Sequence, residues 1–89
     1  MSVETEVATD TFLIEFIPED DGTFSAIVLN LPGAGSCGDT EAEALENVRE
    51  ALTGVMEEYA ESGEGVPWIA PADVVRTVGR RSRWIRIDG

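Results

Sequence analysis

Leu31-Pro32-Gly33-Ala34-Gly35-Ser36-Cys37-Gly38-Asp39-Thr40, running without a break into Glu41–Ser62, decides how this chain folds. The decapeptide carries the backbone out of an apolar run, through two tight turns and a short extended stretch, to the only long helical pattern present. Its three glycines stand where side chains would crowd the turns. Thr40 is placed to cap the helix, and Glu43 follows three residues later. This Thr-x-x-Glu capping box is expected to satisfy two orphan amide donors reciprocally. Glu41–Ser62 would span about 33 Å. Leu45, Val48, Leu52, Val55, Met56 and Tyr59 share one arc, with Ala44 and Ala51 beside them. Glu43, Glu46, Glu50, Glu57, Glu61 and Glu64 fall in a stripe about 60° wide on the opposite side. Gly63 supplies the C-terminal stop. Gly54 lies mid-helix on the acidic side, at a cost of about 1 kcal/mol relative to Ala, and nothing in the pattern explains it.

Upstream, Thr11–Ile17 alternates as a strand, with Phe12, Ile14 and Phe16 on one face and Leu13, Glu15 and Ile17 on the other. Pro18-Glu19-Asp20-Asp21-Gly22 breaks it, and Asp-Gly between two such runs signals a hairpin. Thr23–Leu29 is the return strand, and a third short strand is expected at Ala34–Cys37. Downstream, Glu64–Asp73 is a loop anchored by Val66, Trp68 and Ile69. Val74–Val78 fits either a strand or a short helical turn. Arg83–Ile87 alternates as a last strand, with Trp84 and Arg86 on one side and Ile85 and Ile87 on the other. Three antiparallel strands, one long helix and a final strand make an α+β chain, a two-layer sandwich in β-β-β-α-β order.

With 89 residues, one domain is expected, 11–89, preceded by a polar, flexible lead-in at 1–10. An apolar content of 43% is enough for one thin core and argues against disorder. No apolar run approaches the roughly 18 residues of a membrane span, and Met1–Asp10 has no signal-peptide core, so a cytoplasmic location is expected. The single cysteine and the absence of histidine exclude a Cys/His metal site, and no cofactor is expected. Net charge is −12. Seventeen acids and one arginine occupy residues 1–75, whereas five arginines and Asp88 occupy 76–89. So acidic a body repels nucleic acid and favours basic partners. The chain also lacks lysine, a composition that suits a high-salt cytoplasm or a GC-rich genome.

A Leu-Pro-Gly turn, a short strand, then Gly-Asp-Thr-x-x-Glu-Ala at a helix start resembles the core motif of the HicB-like antitoxin family, over Thr11 to Trp68. The residues that carry it are Leu31, Pro32, Gly33, Gly38, Asp39, Thr40 and Glu43. The resemblance implies a reduced ribonuclease-H-like fold and a non-catalytic protein that neutralises a small, basic, HicA-like RNA-cleaving toxin. The family often carries cysteine directly after Leu-Pro-Gly, where this chain has Ala34. Members of the family that repress their own operon usually do so through an appended DNA-binding domain; none is expected within 11–89, and direct nucleic-acid binding is not expected.

Two further readings stand beside it: a stand-alone oligomeric module of the same fold, and a metal-dependent nuclease. Nucleophilic catalysis lacks its usual base, since there is no histidine or lysine and Cys37 is unaccompanied. Nuclease chemistry would need Glu15, Glu43 or Glu46, and Asp88 to converge on metal ions. The helical pattern turns Glu43 and Glu46 away from the sheet, against that convergence. Glu19-Asp20-Asp21 lacks calcium-loop spacing and is a hairpin tip. Glu43, Glu46, Glu50 and Glu57 are the candidate docking face for a basic partner. Arg76, Arg80, Arg81, Arg83 and Arg86 are expected to pair with the chain's own carboxylates or with a second subunit. Trp84, Arg83 and Arg86 are candidate interface residues on an edge strand, which makes a homodimer or higher oligomer the expected state.

Overall fold

The computed structural model describes residues 11–87. Four strands, β1 (Thr11–Pro18), β2 (Phe24–Val28), β3 (Gly35–Gly38) and β4 (Arg81–Arg86), form one antiparallel sheet in the order β3-β2-β1-β4. The helix α1 (Glu41–Ser62) lies against one face of it, over β2 and β3. The expected Met1–Asp10 lead-in and Asp88 lie outside the described residues.

Alternation along β1 does what its period of two dictates. Phe12, Ile14 and Phe16 point to the helix layer and join Ala26, Val28, Leu31, Ala44, Val48, Leu52, Ile85 and Ile87 in the core. Each large side chain so buried contributes roughly 1.5–3 kcal/mol relative to exposure. Trp68 returns from the loop after α1 and packs a tilted ring against Phe12, centroids 5.2 Å apart, within the range favoured by aromatic pairs. The hairpin at 18–23 closes with Gly22 at φ 91°, a conformation side chains resist. Asp21 caps it, accepting from the Thr23 hydroxyl at 2.6 Å and the Thr23 amide at 3.0 Å. These donors, the hydroxyl first, hold the Asp21 carboxyl below its ordinary pKa. The tip is therefore most firmly closed above the usual carboxylate range and loosens as pH falls through that lowered value.

Helix boundaries match the pattern. Thr40 is the N-cap, its hydroxyl accepting the Glu43 amide at 3.0 Å, and Gly63 is the left-handed C-cap at φ 78°. The return half of the capping box differs from expectation. Glu43 Oε1 accepts from the amide of Asp39, at 2.6 Å, one residue before the cap. Glu64 falls beyond Gly63, so the acidic stripe ends at Glu61. A Cβ on Gly54 meets nothing within 4 Å. Gly54→Ala is accordingly expected to stabilise the protein by about 0.5–1 kcal/mol, read as a rise in thermal midpoint; an unchanged midpoint would contradict it.

The remaining differences sit at edges. β3 is shifted one residue, to Gly35–Gly38, and β2 is shorter at both ends. β4 starts at Arg81 rather than Arg83, because Arg81 and Ser82 pair with Phe16 and Glu15 and lengthen the ladder. Pro71–Asp73 forms a 3-10 turn. Val74–Val78 is neither strand nor helical turn, but an irregular strap across the sheet face opposite α1. Its amides find a side chain there, not a ladder: Thr77 N–H donates to Glu15 Oε2 at 2.9 Å.

Candidate protein-binding surface

That strap buries the second face of β1. Leu13 is 1% exposed and Glu15 3% exposed. The Glu15 carboxylate accepts Thr77 N–H and faces the Arg80 guanidinium at 3.8 Å. Asn30 works similarly at the other end of β1. Its side chain accepts from Leu13 N–H and donates to the Thr11 carbonyl, while its own carbonyl accepts Ile69 N–H. Asn30 thereby fixes the start of β1, the Leu31-Pro32-Gly33 turn and the loop after α1 against one another. Neither role is visible in the alternation. A polar residue inside Val28-Leu29-Asn30-Leu31 was the available signal for Asn30.

The motif residues come together at the helix start. Gly38 ends β3 directly beneath the first turn of α1: a Cβ there would stand 2.6 Å from Ala44 N and 2.8 Å from Glu43 C. Asn47 reaches back to donate to the Cys37 carbonyl at 2.8 Å. Leu31 is buried, and Gly33 turns the chain at φ 80°.

Glu43, Glu46, Glu50 and Glu57 are all exposed on the side of α1 away from the sheet. No ion pair among the described residues engages any of the four; Glu43 alone is spoken for, by the Asp39 amide. Among the described residues, the carboxylates weighed for metal chemistry do not converge. Glu15 lies under the strap on one side of the sheet, and Glu43 and Glu46 lie on the other.

The arginines divide. Arg81 pairs with Glu41 at 3.3 Å across an exposed gap, worth about 0–1 kcal/mol. Arg80 pairs with Glu15, and Arg49 of α1 donates to the Arg86 carbonyl at 3.3 Å, tying β4 to the helix. The ladder register places Arg83 with Ile85 on the helix side of β4 and Trp84 with Arg86 on the strap side. The three candidate interface residues thus belong to two faces of one edge strand. Trp84 is half exposed, with Val75, Val78 and Ile27 the other exposed large apolar residues. Trp84 and Arg76 flank a cleft of about 360 Å³ floored by Leu13.

A larger open groove, about 670 Å³, runs between the Leu31–Ala34 turn and the last turns of α1. Leu31, Pro32, Ala34, Val55 and Tyr59 line it, with Glu58, Glu61 and Glu64 also on its walls.

Residues 12–86 match the family described as the HicB_like antitoxin of bacterial toxin-antitoxin systems. The chain belongs to the HicB-like antitoxin family. The match carries the likeness past Trp68, through the strap and into β4. Among solved structures, the N-terminal domain of Burkholderia pseudomallei antitoxin HicB superposes with a TM-score of 0.73 at 26% identity. It covers 88% of this chain and 98% of that one. No curated protein matches. This HicB-like chain shares with that domain the four-stranded antiparallel sheet and the single long helix. No helix among the described residues is long and apolar enough to cross a membrane.

Proposed function

We propose that this HicB-like chain is a non-catalytic, cytoplasmic binding protein that neutralises a small basic RNA-cleaving toxin of the HicA-like kind. The observation that carries the reading is the outward face of α1, where Glu46, Glu50 and Glu57 stand exposed and take part in no ion pair among the described residues. A ribonuclease must present positive charge to phosphate. A surface of unpaired carboxylates on a rigid helix complements that charge and excludes RNA from it, and the long-range field speeds encounter. Residues 11–89 act as one domain in this reading, with no metal, cofactor or nucleic acid.

The test is to express the chain with a small basic ribonuclease from an adjacent reading frame, then measure RNA cleavage against added chain. Stoichiometric suppression is expected, with Glu46→Gln/Glu50→Gln/Glu57→Gln weakening it about tenfold at moderate salt. Failure to bind or suppress any such ribonuclease would remove the reading.

A second reading, a stand-alone oligomeric module, is favoured by the apolar exposure on the strap side. Val78 is 99% exposed and Trp84 50%, and β4 is an edge strand that invites pairing. Sedimentation of Trp84→Ser against the unaltered chain addresses it: a shift from dimer to monomer supports a second copy on that face, and an unaltered monomer excludes it.

A further inference from the structure

We infer that the groove between the Leu31-Pro32-Gly33 turn and the C-terminal half of α1 receives an arginine-bearing segment of the basic partner. This deepens the reading above and rests on it, by naming where such a partner anchors. The stripe has a smaller cleft, about 420 Å³, where Glu43 and Glu46 share the walls with Arg49. The groove is larger and has carboxylates on its walls with no cation beside them.

It is an open groove of about 670 Å³, with room for a long side chain. One wall is the turn, with buried Leu31 behind Pro32 and Ala34; the other is α1, with Val55 and Tyr59 half buried. Glu58, Glu61 and Glu64 are exposed around it, and no basic residue lines it. Nor do the ion pairs of the described residues involve these three carboxylates. The backbone holds the walls in place: Gly63 closes α1 onto the Tyr59 carbonyl at 3.0 Å, and the Val28 amide closes the turn onto the Ala34 carbonyl at 3.1 Å.

Apolar side chains interleaved with carboxylates, and no basic residue on the walls, select the occupant. An aliphatic peptide would leave the carboxylates unpaired, and an acidic one would be repelled. A long cationic side chain fits both parts, its methylenes on the apolar side chains and its head among the carboxylates. Arginine fits better than lysine, because its planar guanidinium binds carboxylates through paired hydrogen bonds and packs on an aromatic face such as Tyr59.

The probe is acetylated, amidated hexa-arginine, titrated against the full chain at about 0.15 M salt, where longer-range charge effects are screened beyond about 8 Å. Two variants remove equal charge: Glu58→Gln/Glu61→Gln/Glu64→Gln at the groove, where the stripe ends, and Glu46→Gln/Glu50→Gln/Glu57→Gln on the part of the stripe away from the groove. All six positions are exposed, and helical circular dichroism confirms folding. The groove variant is expected to weaken binding about tenfold or more and the stripe variant about twofold or less. Tyr59→Leu is expected to narrow the preference for hexa-arginine over hexa-lysine. Equal weakening by the two triple variants would overturn the groove while leaving the acidic-surface reading intact, as would the absence of any hexa-arginine binding. If a basic ribonuclease is suppressed equally well by the groove variant and the unaltered chain, the groove is likewise excluded and the antitoxin reading stands.

Discussion

Gly38→Val is expected to destabilise the protein by about 3 kcal/mol, lowering the thermal midpoint by about 12–24 °C for a domain of this size. The cause is contact, not conformation. A Cβ at this position meets Ala44 N at 2.6 Å, Glu43 C at 2.8 Å and Glu43 Cβ at 2.9 Å. The first two are backbone atoms of the first helical turn, and that turn is fixed by Thr40, whose carbonyl accepts the Ala44 amide at 2.9 Å. No flexible side-chain end is there to yield. β3 must separate from α1, or the cap must break. Gly65→Val is the matched control, since a Cβ there meets nothing within 4 Å. A fall of less than about 4 °C for Gly38→Val would show that the approach of β3 to α1 is softer than the geometry implies.

Glu15→Ala is the second large effect, and it acts on the other side of the sheet. Removing the carboxylate leaves Thr77 N–H without its acceptor and Arg80 without its counter-charge, at a cost of about 1–3 kcal/mol. The loss is local before it is global. Hydrogen exchange across 74–80 should accelerate in Glu15→Ala, while the amides of β2 and α1 keep their protection. Glu15→Gln keeps an acceptor for Thr77 and loses the charge, so it should retain part of that protection. Unchanged exchange at Thr77 in Glu15→Ala would mean that the strap is held by packing on Leu13 and Trp84 alone.

Glu15 also shows where the sequence stops being legible. Alternation places it correctly, on the face opposite Phe12, Ile14 and Phe16, where the sequence offers a carboxylate no role beyond candidate metal ligand. What buries it arrives 62 residues later as a single backbone amide, and no periodicity records that contact. Asn30 was hidden for the same reason, since its partners lie on β1 and beyond α1. Elements whose evidence is local came through intact. Thr40, Glu43 and Gly63 mark both ends of α1 because capping is read from residues within one turn. The Asp-Gly hairpin came through as well. β4 begins two residues before the expected start because Arg81 and Ser82 carry no apolar signal, though Arg81 lies on the helix-side row of the ladder. The acidic stripe of α1 was plain from helical spacing, whereas the groove was not, because it needs the Leu31-Pro32-Gly33 turn and the end of α1 to meet.

The strand order has a consequence for biogenesis. β1 is central, pairing on one side with β2 across a tight hairpin and on the other with β4, which follows α1, its loop and the strap. Hairpins close in about 1–10 μs, whereas residue 81 leaves a ribosome about 1–4 s after residue 62 at about 5–20 residues per second. Through that interval β1 can have β2 and the helix layer in place while its other edge is bare and Leu13 and Glu15 have no cover. An open edge beside an apolar face is a template for pairing with another nascent chain. The strap and β4 close it together, so the period of greatest exposure to misassembly ends only as the last strand emerges.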